Sequence, residues 1–124
     1  MTNSAPSVSR GDVLLLPIAF VTGQGFKVRP AVVVQNDRLN AMLISTIVAI
    51  ITSTNTRVKN EPSQLFIDVS TADGQATGLL HDSTVKCEHL DTVDRWDIHR
   101  VIGRCSPALL QQLDDCLKAT LEVA

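Results

Sequence analysis

The apolar positions of this chain fall into short runs broken by glycine, proline and polar residues, and one helical stripe closes the sequence. "GDVLLLPI" (11–18) is apolar without helical periodicity and closes at Pro17, which predicts a strand buried on both faces. "FVTGQGF" (20–26) is punctuated by glycine and reads as a loop. The β-branched "PAVVVQ" (30–35) predicts a second strand, "NDRLN" (36–40) a polar break, and "LISTIVAIITST" (43–54) a long central strand. A second loop, "NTRVKNEP" (55–62), carries cations and a proline. In "QLFIDVS" (64–70) Leu65, Ile67 and Val69 alternate with Gln64, Phe66 and Asp68, the pattern of a half-buried strand.

"TADGQATGLLHDS" (71–83) reads mostly as turn. In "TVKCEHLDTVD" (84–94) Val85 and Cys87 share one face, and Thr84, Lys86 and Glu88 share the other. "IHRVIGRC" (98–105) is another short extended segment. Only the end has a helical period: Ser106 fits an N-cap and Pro107 the first helical position. Leu110, Leu113, Leu117 and Leu121 then recur at spacings of three and four, over a helix of about 106–122. Several short strands and one terminal helix predict a mainly β fold, a small curved sheet or barrel with the helix over an opening. Residues 1–9 read as a flexible tail and 10–124 as a single domain.

Composition narrows the classes. Hydrophobic residues are 44% and charged residues 19% of the 124 positions, as in ordinary globular domains. A net charge of −2 argues against coating nucleic acid by bulk electrostatics, but it leaves room for a local basic groove. Cys87, Cys105 and Cys116 are an odd number without CxxC spacing, so neither a disulfide framework nor a zinc site is expected. "MTNSAPSVSR" lacks the apolar core of a signal peptide, and "ISTIVAIIT" is far shorter than a membrane span. These features predict a cytoplasmic protein.

Three stretches offer chemistry. In "KVRPAVVVQND" (27–37) Pro30 biases Arg29 towards an extended backbone, so a strand mouth would hold its fork of donors for a phosphate. The ordinary alternative is a solvated loop arginine. In "IITSTNTR" Thr52 and Thr54 share a face at a strand end and Ser53 takes the opposite one; hydroxyls there suit phosphate oxygens, or merely reflect β propensity. In "VKCEHL" Lys86 and Glu88 suit a proton donor beside a general base, or a plain surface ion pair. His81, His89 and His99 form no metal-ligand pattern, so no metal or cofactor is expected. Trp96 and the three phenylalanines suggest no stacking platform.

Taken in order, these stretches resemble the MazF/PemK (Kid) family of bacterial toxins. "RGDVLLLPIAF", "KVRPAVVVQND", "IVAIITS", "STVKCEHLDTVD" and "IGRCSPALLQQLDDCLKATL" keep family-like spacing over about residues 10–122. The resemblance implies an SH3-like β-barrel (CcdB/MazF/Kid-like) with a C-terminal helix, assembled as a homodimer. It implies metal-independent, sequence-selective cleavage of single-stranded RNA, restrained by a cognate antitoxin. The family arginine falls on Arg29 and the hydroxyl ending the central strand on Thr52. Where several members read Arg-Cys-Asp-Gln, this chain has Lys86, Cys87, Glu88 and His89. The first loop, "TGQGFK", lacks the acidic residue of many members and is similar to the PemK-like branch.

The implied reaction uses the ribose 2′-hydroxyl as nucleophile and leaves 2′,3′-cyclic phosphate and 5′-hydroxyl ends. Arg29 and Thr52 would stabilise the phosphorane, with Glu88 as base and Lys86 as acid or second stabiliser. Gln24, Lys27, Ser53, Asn55, Arg57, Lys59 and His89 would bind the RNA around them. Two rival readings are a CcdB-like toxin that poisons gyrase and a catalytically inactive barrel used only for binding.

Overall fold

In a computed structural model, which describes residues 4–53, 58 and 60–124, the chain forms a six-stranded antiparallel sheet. The strands are β1 (Asp12–Ala19), β2 (Phe26–Val33), β3 (Ser45–Thr52), β4 (Gln64–Ile67), β5 (Ser83–Asp94) and β6 (Arg100–Arg104), in the order β4-β5-β3-β2-β1-β6. Three helices accompany them: α1 (Asp37–Met42), α2 (Ala72–Ala76) and α3 (Pro107–Leu121).

The runs of apolar residues in β1, β2 and β3 supply two cores, one on each face of the sheet. Val13, Val32, Ala49 and Ile51 join Val85 and Cys87 of β5 against Leu109, Leu113 and Cys116 of α3. Their neighbours Leu14, Leu16, Ala31, Val33, Val48 and Ile50 form the second cluster with Val8, Val93 and Ile98. Two-sided burial explains why these strands read as continuous apolar runs rather than as alternations. The sheet curls at two breaks in register, between Val13 and Leu14 on the β6 side and between Ala49 and Ile50 on the β5 side.

The edges β4 and β6 do not pair, so the sheet is a half-barrel. The β4–β5 link closes the gap by lying on β6. A Cβ on Gly103 would stand 2.4 Å from the Thr77 carbonyl carbon, and one on Gly78 (φ +75°) 2.0 Å from the Ile102 oxygen. Only glycine permits that approach at both places.

Several expectations need correction. The polar break at 36–40 leads into α1, whose N-cap Asn36 accepts from Leu39 N at 2.9 Å. The 71–83 turn contains α2, capped by Thr71. β2 starts at Phe26, because pairing with β1 (Ile18 opposite Lys27, Leu16 opposite Arg29) outweighs the local glycine signal. In α3 the buried line is Leu109, Leu113 and Cys116, whereas Leu121 is 55% exposed. The tail expected over 1–9 joins the packed body at its end: Val8 is buried, and the Pro6 carbonyl accepts from Arg95 Nη1 at 3.1 Å.

Candidate active site at the ends of β2 and β3

The β2–β3 pairing ends at Ala31 opposite Ile50, and both strands run on two residues along the same face, to Arg29 and Thr52. Thr52 in turn pairs with Thr84 of β5. Arg29 is half-buried, and its guanidinium carbon stands 5.9 Å from the centre of the Phe20 ring, within cation–π range. The β1–β2 turn positions that ring. Phe20 N donates to the Gly25 carbonyl at 3.0 Å and Gly23 N to the Phe20 carbonyl at 2.8 Å. Gly25, at φ +91°, lets the chain fold back against the ring, a conformation that a side chain would strain. Setting the aromatic residues aside overlooked Phe20, because its role depends on how a glycine turn folds rather than on aromatic spacing.

The Thr52 hydroxyl oxygen is buried and has no hydrogen-bond partner among the described residues. An unsatisfied buried hydroxyl costs roughly 1–3 kcal/mol, a state found where a ligand completes the bonding. In the neighbouring strand, the Arg29 side chain has no hydrogen-bond or ion-pair partner among the described residues, and its guanidinium meets the Phe20 face. The pair is an arrangement of donors without an acceptor, and an anionic oxygen is the group that would satisfy it.

Lys86 lies one row further in, paired with Ile50 on one side and Gln64 of β4 on the other. Beyond it β5 bulges: Lys86 opposes Ile50 while Leu90 opposes Ala49, so residues 87–89 have no counterpart on β3. Glu88 is exposed in that bulge, and its Oε2 accepts from Gln64 Nε2 at 2.7 Å. Gln64 Oε1 accepts from Val58 N at 3.0 Å, so one amide ties the Glu88 carboxylate to the β3–β4 loop. Gln64 was read only as the polar side of a strand; its role becomes visible once β4 is registered on β5.

Between the two charged residues, Cys87 turns into the helix-side core. Burial, with the Cys116 thiol and the Glu88 charge nearby, pushes its thiol up to about 12, so it is no nucleophile at neutral pH. Burial likewise holds Cys105 up at about 11.

The remaining candidates divide. Lys27 is exposed on β2, two residues from Arg29 on the same face, and Gln24 is exposed in the turn. His89 is half-exposed in the bulge. Asn55, Arg57 and Lys59 lie outside the described residues. Ser53 is not grouped with Arg29 and Thr52. Strand alternation turns it to the other face, where it borders a groove of about 410 Å³ walled by Leu15, Pro30, His81, Ser83 and Arg100. Among the described residues no three His, Cys, Asp or Glu side chains cluster as metal ligands, and no helix is long and apolar enough to cross a membrane.

Comparison with known proteins places this geometry in context. The profile of a family described as PemK-like, MazF-like toxin of type II toxin-antitoxin system matches residues 9–121. Endoribonuclease EndoA of Bacillus subtilis is 31% identical over 116 residues, covering 92% of this chain and 94% of its own. Endoribonuclease MazF9 of Mycobacterium tuberculosis is 36% identical over 98 residues, 77% of this chain and 79% of its own. Among solved structures, an endoribonuclease in complex with its cognate antitoxin from Mycobacterial species superposes with a TM-score of 0.75 at 16% identity, covering 94% of this chain and 97% of that one. At that identity the likeness speaks for the fold alone.

Proposed function

The chain belongs to the family of PemK-like, MazF-like toxins of type II toxin–antitoxin systems, and from that premise we propose that it is an endoribonuclease cleaving single-stranded RNA where the β2–β3 pairing ends, at Arg29 and Thr52. Curated relatives across nearly the whole chain are endoribonucleases, and a fold neighbour is held by its cognate antitoxin. The observation that carries the reading to particular residues is the Thr52 hydroxyl, buried and unpartnered at the same strand ends as Arg29.

RNA brings its own nucleophile. The 2′-hydroxyl oxygen attacks the adjacent phosphorus, the bond from phosphorus to the 5′-oxygen breaks, and a 2′,3′-cyclic phosphate forms. Negative charge gathers on the non-bridging oxygens, and Arg29 with Thr52 supplies donors there. Donors of this kind contribute most where they are fixed in advance. Glu88 takes the 2′-hydroxyl proton, its Oε2 steadied by Gln64; Lys86, in the row of β5 next to Thr84 and Thr52, gives a proton to the departing 5′-oxygen. Acid–base help of this sort is worth about 10²–10⁴ in rate. Lys27 and Gln24 guide the flanking strand, and Asn55, Arg57, Lys59 and His89 complete the RNA contacts.

No step needs a metal. The protein acts in the cytoplasm as a homodimer, and an antitoxin segment silences it by covering Arg29 and Thr52. The test is to incubate the purified chain with long single-stranded RNA in EDTA and map the ends. Cuts ending in 2′,3′-cyclic phosphate and 5′-hydroxyl are expected. A strict requirement for a divalent ion, or gyrase inhibition without cleavage, would overturn the reading.

A further inference from the structure

The groove on the helix side of the sheet has no part in the chemistry above, yet it opens one residue away from it. Arg29 and Thr52 face one side of the β2 and β3 ends; their successors Pro30 and Ser53 face the other and border the groove. Consecutive Cα atoms are about 3.8 Å apart, so a nucleotide chain crossing these strand ends meets both faces within one nucleotide step. The groove is built rather than incidental. Its far wall is the segment after α2, pressed onto β6 at Gly78, where a Cβ would collide with the Ile102 oxygen. Its volume of about 410 Å³ falls within the range of small-ligand pockets.

The lining combines apolar side chains, among them Leu15, Pro30 and Val101, with the polar side chains of Ser53, His81 and Arg100. No aspartate or glutamate borders it, so the rim is rich in donors. Arg100 stands opposite Leu15 on β6, is exposed, and has no hydrogen-bond or ion-pair partner among the described residues. Aliphatic side chains suit the face of an unstacked base, and a free guanidinium fork suits a base edge with two adjacent acceptors. Guanine presents such an edge through O6 and N7, where adenine offers a donor and an acceptor. Cytosine presents two acceptors, O2 and N3, only on its Watson–Crick edge and on a single ring, which leaves more of an apolar lining uncovered than the two rings of guanine.

Resting on the RNA-cleaving function, we propose that this groove holds a guanine base next to the scissile phosphate, with Arg100 as the specificity-determining residue. Unlike a phosphate contact, such a contact changes which sequences bind rather than how tightly all of them bind.

The test uses the full chain and two short 2′-deoxy oligonucleotides, which lack the nucleophile and stay intact, differing by guanine or adenine at one position. Fluorescence anisotropy on the wild type is expected to show about tenfold or greater preference for the guanine oligonucleotide. Arg100→Ala should close that gap, and Arg100→Lys, which keeps the charge without the fork, should close most of it. Equal binding of the two oligonucleotides by the wild type would overturn the proposal. So would a uniform loss of affinity in Arg100→Ala, which marks a phosphate contact, or a wild-type gap in Arg100→Lys. Cleavage mapped in parallel separates the two readings. A chain that prefers guanine but cuts nothing keeps the groove and loses the nuclease. One that cuts without the preference keeps the nuclease and loses the groove.

Discussion

Cys87 and Thr52 sit on neighbouring strands, and each holds a polar atom away from water. The Cys87 thiol lies in a closed apolar core beneath α3, where burial suppresses its ionisation and the thiol behaves as a small hydrophobe. The Thr52 hydroxyl lies at the rim of the sheet, where the β2–β3 pairing has ended and Arg29 offers free donors. In the first place packing has absorbed the polar atom; in the second it has left one unsatisfied beside a cation. The core is therefore read as serving stability and the rim as serving activity, and the two should respond to substitution independently.

That separation can be broken in several ways. The largest effect is expected in the core: Leu113→Ala removes a fully buried side chain of α3 and should cost about 2–5 kcal/mol in denaturant unfolding. Below its melting transition the variant should still cut RNA, and a folded Leu113→Ala protein without activity would erase the distinction. Thr52→Val inverts the pattern. Cleavage should fall by about 10²-fold, the scale of losing one aimed donor, while the denaturation midpoint stays at or above the parent's, because no hydrogen bond is lost. A drop in stability would mean that the hydroxyl has a structural partner.

A third, graded effect is a pH dependence confined to the core. In the unfolded chain Cys87 and Cys105 ionise near the ordinary 9.0, and in the folded chain only near about 12 and about 11. Between these values the folded state holds the extra protons, so stability is full below pH 9 and declines as pH rises above it. The slope is at most about 1.4 kcal/mol per pH unit for each thiol. Unfolding curves between pH 8 and 10.5 would reveal it, and replacing both thiols together with Cys116, whose thiol burial also raises, by alanine should flatten it.

The sequence disclosed most of the frame. The two-sided apolar runs announced β1 and β3, and Ser106 with Pro107 announced the start of α3. It hid whatever depends on a partner. At six residues α1 is too short to show a stripe, and β2 begins inside a glycine-marked segment because β1 pairs with it. The bulge at 87–89 exists only relative to β3, so alternation along β5 could not reveal it. The same holds around the proposed site. Arg29 and Thr52 stand out in the chain by residue type, but only Thr52 ends its strand; Arg29, expected at a strand mouth, lies inside β2 where its pairing with β3 has stopped. The Phe20 ring over Arg29 and the Gln64 bridge to Glu88 need the folded register, and Ser53 parts from its neighbour by alternation alone.

The central claim is that the Arg29 guanidinium, where the β2–β3 pairing ends, stabilises the transition state of RNA cleavage. Its most direct test is the single-turnover cleavage rate of Arg29→Ala in EDTA, measured beside its circular dichroism and denaturation midpoint. The account predicts a rate lower by about 10²–10³-fold in a protein that is folded as well as the parent. A folded Arg29→Ala protein that cuts RNA at the parental rate would contradict it.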